Sequence, residues 1–207
     1  MSEPRRRGSY AVGRERRERI LDAATERFAT SGYTSTSMAR IAKDVGISTT
    51  GLVHHFPTKQ HLLLAVADRR FDSAGVVAGP ATSADGEQLI RSLQSITRHF
   101  LDQPGLIELF VALSAEAADP SSAAHELFAA RYERIIDDIA GRFRACARGG
   151  SFRADVDYDA IAREVVAVSD GMQLQWVLSG RRTDLAGDSE RYLSRLAQAL
   201  RPSPPPA

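Results

Sequence analysis

Apolar residues recur three or four positions apart along most of the chain, and no segment shows the strict alternation of a half-buried strand. In the first periodic segment Ile20, Leu21, Ala24 and Phe28 share one face of a helix. Gly32 marks the end of that helix. The pattern predicts an all-α protein, with helices over residues 13–31, 37–44, 48–54, 58–75, 85–102, 104–118, 120–148, 157–178 and 189–200.

The two short segments 37–44 and 48–54 have the pattern of a helix-turn-helix. Gly46 lies at the turn, where a backbone with positive φ costs other residues about 1–2 kcal/mol. Ser37 and Ser48 precede the two helices and can cap them by accepting backbone N–H bonds. The residues suited to hold the helices together are Ile41, Ala42, Val45, Ile47 and Leu52.

The second short helix begins with small polar residues, which suits insertion into the major groove of DNA. The candidate DNA-binding residues are Ser37, Ser48, Thr49, Thr50, Val53, His54, His55 and Lys59. Among them Thr49, Thr50 and His54 are candidates for reading base edges, whereas Ser37, His55 and Lys59 are candidates for phosphate contacts. On spacing alone, an ordinary pair of short helices within an α-helical domain stays an alternative.

The charge distribution favours a nucleic-acid-binding N-terminal part. Residues 1–60 carry eleven Lys and Arg against six Asp and Glu, whereas the remainder carries sixteen against twenty. A basic segment attached to an acidic body is typical of a nucleic-acid-binding domain, although an unstructured basic tail gives the same count. Arg14, Arg16 and Arg17 either add salt-dependent affinity for DNA or pair with Glu15 and Glu18.

The segment 14–66 resembles the TetR family of bacterial regulators. The residues that carry the resemblance are Ile20, Leu21, Asp22, Ala23, Ala24, Phe28, Gly32, Tyr33, Thr36, Ile41, Ala42, Val45, Gly46, Ile47, Ser48, Leu52, His54, Phe56, Pro57, Lys59, Leu62 and Leu63. The resemblance implies an all-helical subunit, a homodimer built from the last two helices and a small-molecule pocket in the body. Two positions depart from the family pattern, because Val53 and His55 stand where tyrosine is common.

The resemblance and the helix pattern together predict a domain organisation. An N-terminal three-helix DNA-binding domain with a helix-turn-helix (13–57) is joined to a C-terminal helical ligand-binding and dimerisation domain (58–201). Residues 1–12, a basic arm, and residues 202–207, a proline-rich tail, are expected to be disordered.

Apolar stripes on the last two long helices are candidates for the dimer interface or for the core of one subunit. The candidate dimer residues are Val165, Val168, Met172, Leu193, Leu196 and Leu200. The candidate effector-binding residues combine aromatic, apolar and polar side chains. They are Phe71, Phe100, Leu106, Phe110, Leu113, Glu116, Met172, Gln173 and Trp176, although an aromatic residue at helical spacing is more often core.

Other functions find little support in the sequence. No nucleotide-binding loop, nucleophile elbow or H-E-x-x-H pair is present, so we expect neither an enzyme, nor a cofactor, nor a metal site. No apolar run approaches the roughly 18 residues that a membrane span needs. The single cysteine, Cys146, is expected to be packed in the core. Because one cysteine cannot form an internal disulfide, the sequence fits a reducing compartment, and a cytoplasmic protein is predicted.

The function expected is therefore a sequence-specific transcriptional regulator. A repressor that leaves a palindromic operator in double-stranded DNA when a small molecule of unknown identity binds is the first hypothesis. The alternatives are a helical interaction module that binds DNA without sequence preference, and a transcriptional activator of the same fold.

Overall fold

Helices are the regular elements of the part of the chain that the structure describes. A computed structural model of the chain describes residues 6–78 and 84–202, except for the side chains of residues 6–11, 71 and 73–78. The described residues form nine α-helices and no β-strand, which confirms the predicted all-α class. In chain order the helices are α1 (Arg6–Ser31), α2 (Met38–Val45), α3 (Thr49–His55), α4 (Lys59–Ala78), α5 (Gly86–Leu101), α6 (Pro104–Glu116), α7 (His125–Arg148), α8 (Tyr158–Leu178) and α9 (Leu185–Ala199).

The chain divides into two compact units, Met1–Arg70 and Phe71–Ala207, so that the division falls inside α4. Helix α1 begins at Arg6, within the segment 1–12 that was expected to be disordered. No proline interrupts residues 6–31, and each of the two glycines there costs a helix only about 1 kcal/mol. Residues 1–5 of the predicted arm and 203–207 of the predicted tail lie outside the described residues.

Two further helices begin away from their predicted starts because aspartates organise the preceding turns. Helix α7 begins at His125 rather than at residue 120, since the Asp119 carboxylate accepts hydrogen bonds from the backbone N–H and the hydroxyl of Ser121, both at 2.8 Å. Helix α9 begins before residue 189, since Asp184 caps it by accepting the backbone N–H of Gly187 at 3.0 Å.

The core of the first unit takes large apolar side chains from each of its four helices. Ile20 and Phe28 of α1, Ile41 of α2, Leu52 of α3 and Leu62 of α4 are each at most 1% exposed. Complete burial of such side chains contributes about 1.5–3 kcal/mol apiece. The apolar periodicity of the sequence therefore identified the faces that meet in this core.

Charged groups fasten α1 to the end of α2. The Nε and Nη2 groups of Arg27 donate to the two carboxylate oxygens of Asp44 at 2.6 and 3.0 Å. This paired hydrogen bonding lowers the pKa of Asp44 below its ordinary value. The Nη2 group of Arg19 also donates to the carbonyl of Val45 at 2.9 Å, so the last turn of α2 is held from two directions.

The turn between α2 and α3 has the left-handed glycine that the sequence predicts. Gly46 has a φ of 75°, and its N–H donates to the carbonyls of Ala42 and Lys43. The next N–H, that of Ile47, donates to the Ala42 carbonyl at 2.9 Å. These bonds supply donors to carbonyl groups that the end of α2 would otherwise leave unsatisfied.

In the second unit α5 packs with α9, and α7 packs with α8. Phe143 and Cys146 of α7 are fully buried, and the ring of Phe143 stacks on that of Tyr158 at a centroid distance of 5.8 Å. The Tyr158 hydroxyl donates to the carbonyl of Arg153. Burial raises the pKa of the Cys146 thiol, in agreement with the predicted packing role.

We predict that Gly46→Ala destabilises the protein by about 1–2 kcal/mol, because an alanine must adopt the left-handed conformation there. Gly141→Ala is the matched control, since Gly141 lies within α7 and an added Cβ meets nothing within 4 Å. That change should stabilise by up to about 1 kcal/mol. Urea unfolding followed by circular dichroism measures both changes, and equal effects of the two substitutions would contradict the prediction.

Candidate nucleic-acid interface and effector cavity

A serine hydroxyl fixes the first turn of α3. The Oγ of Ser48 accepts a hydrogen bond from the backbone N–H of Gly51 at 3.0 Å. A Cβ at Gly51 would lie 3.3 Å from that oxygen, which is a tight approach. The cap therefore makes Thr49 and Thr50 the first side chains that α3 presents.

The exposed face of α3 holds four of the predicted DNA-binding residues. Thr49, Thr50 and His54 are exposed to solvent, and Val53 is 40% exposed. Leu52, in contrast, is completely buried in the core. The helix thus presents two hydroxyl groups, an imidazole and an isopropyl group on a surface that its buried face holds in place.

His55 and Lys59 occupy more confined positions at the end of this surface. His55 is half-buried, and its pKa lies below the ordinary value because of burial first, then the nearby charges of His54, Arg16 and Arg17. A neutral imidazole offers a single ring N–H as donor. The Nζ of Lys59 lies 4.2 Å from the centroid of the Tyr33 ring and donates to the Thr34 carbonyl at 3.4 Å.

The predicted phosphate contact Ser37 is a helix cap. Its Oγ accepts the backbone N–H of Arg40 at 3.2 Å, which leaves the hydroxyl proton available to another acceptor. On the same helix Arg40 and Lys43 are exposed, and sequence reasoning did not single them out. Their position on the helix before the turn was readable from the sequence, but their exposure was not.

The three candidate arginines of α1, Arg14, Arg16 and Arg17, are exposed, and Arg17 makes local contacts. Arg14 and Arg16 lie on the surface, whereas the guanidinium of Arg17 stands 5.2 Å from the centroid of the Phe56 ring. Arg17 also lies 3.6 Å from the carboxylate of Glu18. Both predicted alternatives, a basic surface and local ion pairing, are therefore present in this segment.

A small cavity lies in the second unit between α5, α8 and α9. Its free volume is about 10 Å³, room for about one water molecule. It is lined by Thr97, Phe100, Ser169, Met172, Gln173, Leu185 and Ser189. Three of the predicted effector-binding residues, Phe100, Met172 and Gln173, are thus brought together. The hydroxyls of Thr97 and Ser189 are 3.0 Å apart at this cavity, a feature that sequence spacing could not indicate.

Four other predicted effector-binding residues with buried side chains do not line this cavity. Leu106, Phe110 and Leu113 of α6 are buried, and Phe110 stacks on Phe128 at a centroid distance of 5.4 Å. Trp176 packs in a cluster with Ile107 and Leu185.

Two members of the predicted set give no support to a pocket. Glu116 is exposed, and its carboxylate accepts the Ser122 hydroxyl at 3.3 Å. The side chain of Phe71 lies outside the described residues.

The predicted dimer residues are largely covered within the subunit. Val165, Leu193 and Leu200 are at most 7% exposed and belong to the core around Phe143. Val168, Met172 and Leu196 are half-buried.

A different stripe of α8 faces solvent. Leu174 is 44% exposed and Leu178 is 76% exposed, and Ala167 and Gly171 lie on the same face at helical spacing. A Cβ added at Gly171 would meet nothing within 4 Å. Sequence reasoning missed this stripe because α8 is apolar on more than one face.

Comparison with known proteins finds a matching family model for each of the two parts of the chain. The sequence model described as "Bacterial regulatory proteins, tetR family" matches residues 20–66. The model described as "BetI-type transcriptional repressor, C-terminal" matches residues 90–202, more than half of the chain. The chain belongs to the TetR family. It is thus a DNA-binding transcriptional regulator, and the resemblance recognised in the sequence is confirmed.

Individual TetR-family members are similar over different lengths of the chain. The transcriptional repressor AcnR of Corynebacterium diphtheriae is 28% identical over 191 residues, covering 92% of this chain and 94% of that protein. The transcriptional activator FasR of Mycolicibacterium smegmatis is 38% identical over 89 residues, 42% of this chain and 41% of that protein.

Among solved structures, a transcriptional regulator from Saccharomonospora viridis in complex with choline is similar with a TM-score of 0.70. Its identity to this chain is 26%, over 89% of this chain and 96% of that one. The matched families and the relatives named above are all transcriptional regulators, in agreement with the class of this chain. Within residues 6–78 and 84–202, no helix combines the length and apolar character needed to cross a membrane.

Proposed function

We propose that this TetR-family protein is a repressor that binds a palindromic operator as a homodimer and leaves it when a small molecule binds the second unit. The observation that carries the proposal is the exposed, serine-capped α3, on which Thr49, Thr50 and His54 face solvent while Leu52 anchors the helix in the core. A short helix of this kind fits the major groove of B-DNA, which is about 12 Å wide.

Base recognition is assigned to Thr49, Thr50 and His54. A threonine hydroxyl can both donate and accept, and an imidazole can do either according to its tautomer. These groups match the donors and acceptors that base pairs display in the major groove. Ser48 caps the helix and keeps them at its leading end.

Phosphate contacts are assigned to groups around α3. The hydroxyl of Ser37, the ring N–H of His55 and the ammonium of Lys59 lie at the ends of α2, α3 and α4, respectively. Contacts of this kind position a helix in the groove without specifying sequence. The exposed Arg14 and Arg16 would add affinity that falls as salt concentration rises.

Homodimerisation is assigned to the exposed stripe of α8: Ala167, Gly171, Leu174 and Leu178. Large exposed leucines on one helical face indicate a surface that a partner covers. The small residues at 167 and 171 would let a partner helix approach closely, as in a helix bundle. In the proposed complex a two-fold dimer would place its recognition helices in successive major grooves, about 34–36 Å apart, which calls for a palindromic operator.

Effector binding is assigned to the cavity lined by Phe100, Met172 and Gln173. Its lining combines Phe100, Met172 and Leu185 with three hydroxyl groups and the Gln173 amide, which suits a molecule with both apolar and polar groups. The cavity would have to widen to admit such a molecule, because it now has room for about one water. The solved relative in complex with choline supports a small-molecule site in this kind of protein. Helix α4 contributes to both compact units, so a shift of its second half would reach the DNA-binding unit with a coupling of about 1–3 kcal/mol.

Repression is favoured over activation by the extent of similarity. The BetI-type repressor model spans residues 90–202, and the repressor AcnR is similar over 92% of this chain. The activator FasR is similar over 42% of it. The test is whether the bound operator lies over or beside a promoter and whether transcription in vitro falls when the protein is added.

Selection of bound duplexes from a random pool should return a palindrome. Thr50→Ala and His54→Ala should each weaken operator binding about tenfold, the equivalent of a lost base contact of about 1.4 kcal/mol, while the dimer persists. Ser31→Ala, an exposed position of α1, is the control. Unchanged affinity of both α3 variants would mean that α3 is not the recognition helix, and a pool without sequence preference would favour the non-specific interaction module.

Leu174→Glu and Leu178→Glu should each weaken self-association by at least about 30-fold, because a charge replaces an apolar side chain at the interface. Val12→Glu is the matched control, since Val12 is 54% exposed on α1. Analytical ultracentrifugation measures the monomer–dimer equilibrium. Dimers of undiminished stability in both α8 variants would contradict the assignment of this stripe.

Small molecules that release a fluorescent operator should need about tenfold higher concentrations against Gln173→Leu, because a hydrogen bond to the ligand is lost. Gln175→Leu is the matched control, since Gln175 lies on the same helix but is exposed, whereas Gln173 is 4% exposed. Releasing compounds with equal potency on both variants would place the effector site outside this cavity.

A further inference from the structure

Val53 is an apolar side chain on the face of α3 that the proposed function assigns to DNA. It is 40% exposed, whereas its neighbours in the core, Leu52 and Phe56, are 0% and 3% exposed. A valine that served to hold α3 in the unit would be covered like those two residues. Val53 instead leaves about two fifths of its surface open to solvent.

Helical geometry places Val53 beside the proposed base-reading residues. It follows Thr49 by four positions and Thr50 by three, so the three side chains share one face over successive turns of α3. When α3 lies in a major groove, Val53 therefore approaches the base pair next to those that the threonines meet.

The major groove offers one principal apolar feature to such a side chain. Guanine, adenine and cytosine present N7, O6, N6–H₂ or N4–H₂ groups, whereas thymine adds a 5-methyl group beside its O4. An isopropyl group against a polar base edge would displace water without replacing its hydrogen bonds. Against the thymine methyl, both apolar surfaces are removed from water.

We propose that Val53 selects thymine at one position of each operator half-site by covering its 5-methyl group. This inference rests on the proposed function, because it requires α3 to lie in the major groove. Thr49 and Thr50 can rotate their hydroxyls to suit a donor or an acceptor, so they tolerate several bases. Val53 cannot, and it makes this position of the half-site selective.

The experiment uses synthetic operators in which each thymine in turn is replaced by uracil in both half-sites. The replacement removes the methyl group and keeps every hydrogen-bonding group of the base. For the wild-type dimer, uracil at one position should weaken binding about fourfold per half-site, the factor that one buried methylene is worth. For Val53→Ala, the ratio of thymine to uracil affinity at that position should fall towards one.

Val12→Ala is the matched control, since it makes the same change at a valine that is 54% exposed on α1. It should keep the wild-type preference for thymine. Thermal unfolding of each variant shows that the fold is intact, and the uracil scan of the wild type is independent of any variant.

Failure of this inference is distinguishable from failure of the proposed function. The role of Val53 is overturned if no uracil replacement weakens binding of the wild-type dimer to the selected palindrome, or if the half-sites contain no thymine. Either result leaves the proposed function in place. A Val53→Ala variant that keeps the wild-type ratio overturns that role in the same way. A random pool that yields no preferred sequence overturns both.

Discussion

The left-handed turn at Gly46 is the constraint on which the recognition surface depends. Its N–H and that of Ile47 bond back to α2, and α3 begins at once after the Ser48 cap. Only residues 46–48 separate the two helices, and hydrogen bonds hold the backbone of this turn in place. Because Ile41 and Leu52 are both completely buried, the face of α3 that remains outside is decided by the core beneath it.

The sequence predicted those features that arise from local periodicity and from residues with special backbone conformations. The helices of the described residues, the cap at Ser48 and the positive φ of Gly46 belong to this class, because each depends on neighbours within a few positions. The start of α7 escaped prediction for a related reason. There, the Asp119 carboxylate accepts the backbone N–H and the hydroxyl of Ser121, and this local hydrogen bonding favours a turn over a helix at residues 119–121.

Burial in three dimensions was harder to predict from the sequence. Helix α8 is apolar on several faces, so periodicity alone cannot say that Val165 is covered by the subunit's own core while Leu178 is left 76% exposed. The same ambiguity affects the aromatic residues. Phe110 packs against Phe128, whereas Phe100 reaches the cavity, although both stand at ordinary helical spacing.

Among the described side chains of the first unit, some arginines are engaged in contacts within it and others lie on the surface. Arg19, Arg27 and Arg69 are engaged within the unit, as Arg69 donates to Asp22 and to the Thr25 hydroxyl, each at 2.7 Å. Arg14 and Arg16 lie on the surface. The net positive charge of the N-terminal segment therefore overstates the charge available to a nucleic acid, because part of it holds α1, α2 and α4 together.

The separation between Leu52, which is buried, and Val53, which is exposed, bears on how such a protein diverges. Substitutions on the outer face of α3 change what the helix touches and remove less buried surface than a substitution of Leu52, so they cost less folding free energy. Substitutions on the inner face do the reverse. Duplicated copies of this chain could therefore acquire new target sequences one residue at a time, while every intermediate still folds.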